Sequence, residues 1–156
     1  MIVAVQGLGR LDVSLRAEDT AFLDAHLRDT NSVDEAIRLT DRFTLSYLWV
    51  LGTYEVVRTI CQRMTQRSGL VSDDVAMQFT ALKRRLSRLR VPLAKMEPAS
   101  AHKSDSHIAY PAIHQSLGIA WQLTPQDIVT RAELPDAFLS TLEAANTGSD
   151  SPCQAT

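Results

Sequence analysis

The sequence predicts a mainly α fold: a helical bundle built on one long central helix and an antiparallel partner helix, with a small C-terminal β-hairpin followed by a helix. Three observations carry that expectation. Residues 33–68 run without helix-breaking punctuation apart from Gly52. Val75, Phe79, Leu82, Leu86 and Leu89 follow the i, i+4, i+7, i+11, i+14 spacing of a one-sided helix. After residue 106 the apolar period changes from 3.6 to 2.

The 156 residues suit one domain over 1–146 (bundle 16–91, loop 92–106, hairpin and helix 107–146), with a disordered tail over 147–156. A formal net charge of -2 gives no overall attraction to nucleic acid or anionic lipid. MIVAVQGLGRLDV lacks the basic and long apolar regions of a secretory signal, so the expected compartment is the cytoplasm. Cys61 lies within a helix pattern and Cys153 in the polar tail, neither in a metal-type cluster, which suits a reduced, inert pair.

Residues Met1–Leu15 alternate weakly and contain Gly7 and Gly9, which suits a short strand or irregular lead-in. The Gly-Leu-Gly lacks the third glycine of a dinucleotide loop and the Lys-Ser/Thr of a phosphate loop. A short helix follows, roughly Ala17–Arg28, packing through Phe22, Leu23 and Leu27, with His26 exposed or packed there. Residues 29–32 break it, and Ser32-Val33-Asp34-Glu35 matches a capping box opening the long helix, which Gly69 ends.

Within that helix, Phe43–Ile60 is apolar nearly all round, so it needs cover on several sides. Its uncharged run, Phe43–Tyr54, is well short of the ~20 residues that cross a bilayer. At about 1.5 Å per residue the whole helix spans ~50 Å. It therefore either kinks near Gly52 or is covered by a second copy, and a homodimer is the expectation. Thr44, Glu55, Arg58 and Gln62 fall in one angular sector and leave a polar seam.

Ser72-Asp73-Asp74 opens the partner helix with acids at its positive end, and Val91-Pro92 is expected to close it. A Pro, Ala and Ser loop leads to two short strands, 108–113 and 119–123, around a turn with Gly118 in the special backbone position. Pro111 restricts its strand to an edge. Ile128-Val129 suggests a brief third strand, and Thr130-Arg131-Ala132-Glu133 a capping box for a last helix buried through Leu134, Phe138 and Leu142.

Candidate chemistry is dispersed. Glu55 and Arg58, an ionisable pair in an apolar helix, suit a structural lock or a catalytic seam with Tyr54. His102, Asp105 and His107 suit hydrolase or nuclease chemistry should their loop meet that seam. With His114 they match no standard metal spacing, so neither a metal nor another cofactor is expected. Ser104 and Ser106 lie near these histidines without a nucleophile elbow. Lys83, Arg84, Arg85, Arg88 and Arg90 form a basic face without interleaved aromatic residues, which argues against nucleic acid and for a solvated or partner-binding surface.

A long helix with a helical partner is similar in outline to the HEPN class of RNA-cleaving proteins. Their Arg followed by His after four to six residues does not occur in this sequence, so no site residue carries over. The functional expectation is a non-enzymatic cytoplasmic interaction or regulatory protein, dimeric through the long helix, with Trp49, Arg84, Arg85 and Arg88 as partner-binding residues.

Overall fold

The computed structural model describes residues 1–26, 33–67 and 71–147. The expected break at 29–32, the Ser32 cap, the Gly69 stop, Cys153 and the tail beyond 147 lie outside them. The element order is α1 (Ile2–His26), α2 (Val33–Gln66), α3 (Asp73–Lys95), β1 (Tyr110–His114), β2 (Gly118–Thr124), β3 (Asp127–Thr130) and α4 (Glu133–Thr147). The mainly helical class, the long helix, the hairpin and the closing helix all agree with the sequence reading.

The first fifteen residues do not. Instead of a strand or irregular lead-in followed by a short helix from Ala17, a single helix of 25 residues fills the segment. Its glycines are tolerated because a side chain at Gly7 or Gly9 would meet nothing within 4 Å. Both sit on the outer surface, where each costs only about 1 kcal/mol relative to Ala. The opposite face carries Leu8, Asp12, Leu15, Asp19 and Phe22, the same i, i+4, i+7, i+11, i+14 spacing as the α3 stripe. Leu15 is fully buried and Phe22 nearly so.

α1 and α2 run antiparallel, because Leu8 meets Trp49 while Glu18 meets Arg42. The indole Nε1 of Trp49 donates to the Leu8 carbonyl at 3.0 Å, and Leu8 also closes over Gly52, where an added Cβ would lie 3.0 Å from its Cδ2. Trp49, expected to bind a partner, is therefore an interior residue, 1% exposed and covered by α1. Gly52 serves close helix approach, and α2 continues as one helix through it.

α3 packs antiparallel on the other side of α2. Cys61 Sγ donates to the Phe79 carbonyl at 3.6 Å, and the Arg90 guanidinium stacks 5.1 Å from the centre of the Tyr54 ring. Ser72 caps α3 as expected, accepting from the Val75 amide. The helix does not stop at Val91: it continues through Pro92 to Lys95 and ends with Met96 in the left-handed region (φ 56°). Proline here removes one hydrogen bond from the last turn only, and its ring is buried against the core.

The three strands form an antiparallel sheet in sequence order, with Pro111 on the edge strand and Gly118 at φ +76° in the turn. Tyr110 pairs with Gln122 and Ile113 with Ile119. Ile119, Trp121 and Leu123 of β2 enter the core shared with the helices, while Tyr110 and Ile128 flank Gln122 on the outer face. At the start of α4 the two residues of the expected capping box meet through their side chains, Thr130 Oγ1 donating to Glu133 Oε2 at 2.7 Å. α4 lies antiparallel to α3, Arg85 reaching Glu133 at its start, and it buries Leu134 and Phe138.

Candidate functional site

Two charged clusters dominate the interior and its margins, and of the expected site residues only Arg88 and Asp105 belong to one of them. The first joins residues that the sequence placed in different roles. Arg88 projects from α3 and grips Asp105 with both arms of its guanidinium, Nε to Oδ2 at 2.7 Å and Nη2 to Oδ1 at 2.9 Å. The same Nη2 lies 2.6 Å from Asp127 at the start of β3. Asp105 is almost fully buried, as its loop turns inward through Asp105 N to His102 O and Ser106 N to Leu123 O. The Arg88 hydrogen bonds, reinforced by its charge and by His102, hold the Asp105 carboxyl below its ordinary pKa. These hydrogen bonds likewise hold Arg88 firmly protonated.

Bidentate pairing fixes the carboxylate in geometry as well as charge. Arg88 thus clamps the α3–β1 loop and β3 onto one helix. Asp105 has both oxygens engaged, which commits it to this clamp. Of the histidines around it, His102 is half-buried, His107 is exposed, and His114 points back into its own turn, where the Ser116 amide donates to Nδ1 at 3.3 Å. Among the described residues no group of three His, Cys, Asp or Glu side chains is arranged to hold a metal ion.

Glu55 and Arg58 meet each other, Nε to Oε2 at 2.7 Å, on the surface of α2 with roughly half of each side chain in water. An exposed pair at this spacing contributes little, about 0.3–0.5 kcal/mol. The basic face of α3 is similarly committed: Arg88 holds two aspartates, Arg85 lies 3.7 Å from Glu133, and Arg90 covers Tyr54, so Arg84 and Lys83 are the cations left on that face without a described partner. Burial pushes the Cys61 thiol above its ordinary pKa, with Lys83 opposing, which suits an inert packing residue.

The second cluster was not visible in the sequence. Arg131, at the junction of β3 and α4, is fully buried. Its Nη1 meets Asp12 and its Nη2 meets Asp19 at 2.9 Å, both from α1. Asp12 continues to Arg16 at 2.9 Å, and Arg16 reaches both Asp136 and the Ala132 carbonyl of the α4 entry. Three arginines and three aspartates would then form one alternating run if Arg42 is counted at the far end, where its charge feels Asp19. Arg42 donates from Nη1 to the Glu18 carbonyl at 2.8 Å and lies 4.1 Å from the centre of the Phe22 ring. Desolvation lowers its pKa from the ordinary value.

Among the described residues several atoms of this cluster lack a hydrogen-bond partner: Asp19 Oδ1, Arg131 Nε, Arg42 Nε and Nη2, with Ser46 Oγ and Thr53 Oγ1 further along α2. Buried donors and acceptors of this kind are ordinarily met by internal water. Chemically the cluster is a brace. It ties the first helix to the C-terminal third of the chain through charges that are useful only in the folded geometry. The only sequence signal for it was the helical spacing of Asp12 and Asp19 with Leu8, Leu15 and Phe22.

No described helix is long and apolar enough to cross a membrane. Compared with models of protein families, with curated proteins and with solved structures, the chain matches none.

Proposed function

We propose that the protein is a non-enzymatic helical interaction module of regulatory type, acting in the cytoplasm as a homodimer through the outward face of α2. The observation that carries this reading is an apolar stripe on the N-terminal half of that helix. Val33, Ile37 and Leu48 are 79%, 56% and 51% exposed and fall with Thr40 and Thr44 within a sector of about 80°. The two threonine hydroxyls donate back to the Ala36 and Thr40 carbonyls, so their methyl groups are what the stripe offers outward. Its ends are about 22 Å apart at 1.5 Å per residue.

Such a stripe is self-complementary when two copies pack antiparallel about a two-fold axis near Thr40 and Thr44. Ile37 of each then faces Leu48 of the other, and the threonines permit close approach at the crossing. The commitment of Asp105, Glu55, Arg85 and Arg88 to partners within the chain favours this reading over a hydrolase or a nucleic-acid binder.

Sedimentation velocity at micromolar concentration tests it. The expected result is a dimer that Leu48→Glu and Ile37→Glu convert to a folded monomer, with unchanged far-UV circular dichroism. A monomeric parent protein removes the proposal.

A further inference from the structure

The opposite end of the bundle carries a second feature, which does not depend on dimerisation. The C-terminal turns of α2, the first turns of α3 and the last turns of α4 surround a cleft of about 650 Å³. Its wall is apolar: Ile60 and Met64 from α2, Phe79 from α3 and Leu142 from α4, of which Phe79 is buried and the other three are half-buried. Two side-chain cations stand at its rim, Arg63 and Arg67, one helical turn apart, Met1 with the N-terminal amino group also lines it, and no acidic side chain does. Neither guanidinium meets a carboxylate among the described residues.

Small-molecule sites have this size and composition, an apolar wall with a few placed polar groups. The charge at the rim selects the head group. A guanidinium binds a carboxylate through a matched pair of N–H donors, and two of them at i and i+4 present their donors on one side of the helix. The apolar wall selects the rest of the ligand, since its half-buried aliphatic and thioether side chains gain by being removed from water.

We infer that this cleft binds an amphiphilic carboxylate, an apolar chain ending in a single anionic head, with the chain against Ile60, Met64, Phe79 and Leu142 and the carboxylate between Arg63 and Arg67. The cleft begins at Ile60, about 18 Å along α2 from Leu48 at 1.5 Å per residue, so its occupancy and the association of two copies are separable measurements.

Isothermal titration of the full chain with decanoate, below the concentration at which it forms micelles, tests the inference. Saturable binding of one decanoate per chain is expected, with 1-decanol and butyrate each binding about ten-fold more weakly or less, because each lacks one of the two recognised parts. Arg63→Gln/Arg67→Gln, two exposed changes that leave the core untouched, is expected to reduce decanoate affinity about ten-fold or more with unchanged circular dichroism. Met64→Glu, which places a carboxylate in the wall, is expected to abolish it. Absence of saturable decanoate binding overturns the inference. So does equal affinity for decanol, or full decanoate affinity in the double arginine variant.

Discussion

Arg131 and Asp19 are 112 residues apart in the chain and meet in the interior, Nη2 to Oδ2 at 2.9 Å, where neither side chain has appreciable contact with water. With Asp12 on the other arm, Arg131 carries two carboxylates of α1 into the junction between sheet and last helix. Removing it leaves Asp19 desolvated without its partner and takes from Asp12 one of its two cations, the other being Arg16. Arg131→Met is therefore expected to lose about 3–5 kcal/mol of stability, the range for breaking a buried pair by removing one partner. Urea denaturation followed by circular dichroism measures it, and a loss below about 1 kcal/mol would show that the lattice is solvated rather than buried.

Gly118 is the second point at which α1 depends on the sheet. Its φ of +76° is costly for any residue with a side chain, and a Cβ there would lie 2.5 Å from Asp19 Cγ. Asp19 cannot swing aside without leaving Arg131. Gly118→Ala is thus expected to cost at least about 2 kcal/mol, adding displacement of a buried ion pair to the roughly 1–2 kcal/mol of left-handed strain. Combined with Asp19→Gly, which removes both the Cγ and the Cβ that the new methyl would meet at 2.5 and 2.6 Å, the cost of the glycine change is expected to fall to the strain alone. A double-mutant cycle reads this coupling directly.

The contrast between α1 and α3 shows what was legible. Both helices bury a stripe with identical spacing, but every member of the α3 stripe is apolar, whereas α1 uses Asp12 and Asp19 at two of five positions and places Gly7 and Gly9 on its outer face. Pattern reading treats a buried aspartate as solvent-facing and a glycine as a break, so the helix dissolves into a lead-in. What rescues those positions is Arg131, distant in sequence and recognisable only once the fold brings it over. The hairpin was legible for the opposite reason. Its turn chemistry at Gly118 and its edge proline are local, and the register between Ile113 and Ile119 follows from them. Arg88 and Asp105 were both noticed, yet as members of separate sites, because a separation of 17 positions gives no hint that a helix face and a loop will meet.

The Arg88 clamp makes an acid-side prediction. The Asp105 carboxyl is held below its unfolded value, so the folded chain keeps it charged where the unfolded chain has begun to take up a proton. Its contribution is complete above the unfolded pKa of about 3.9 and is lost as pH falls through the lower folded value. Between pH 5 and 3 the urea midpoint of the parent protein is expected to fall more steeply than that of Asp105→Asn, with the variant already less stable at pH 7. Parallel profiles would mean that other carboxylates set the acid response.

Leu48 and Trp49 are neighbours on α2 with opposite fates, which lets association and stability be separated. Leu48 is about half-exposed on the outward stripe, whereas Trp49 is enclosed by α1 with its indole N–H on the Leu8 carbonyl. Trp49→Phe leaves that carbonyl without its donor and a void where the larger ring was, and is expected to cost about 2–3 kcal/mol of stability. The outward surface is unchanged, so the sedimentation behaviour of the folded protein should be unaffected. Leu48→Ala removes little from the core and should change intrinsic stability by less than about 0.5 kcal/mol, the usual effect of a surface substitution. It should instead weaken self-association several-fold. Measured together by sedimentation and by denaturation at low concentration, the two variants are expected to move different observables. If Leu48→Ala changed only stability, or Trp49→Phe changed association, the assignment of the two faces of α2 would be reversed.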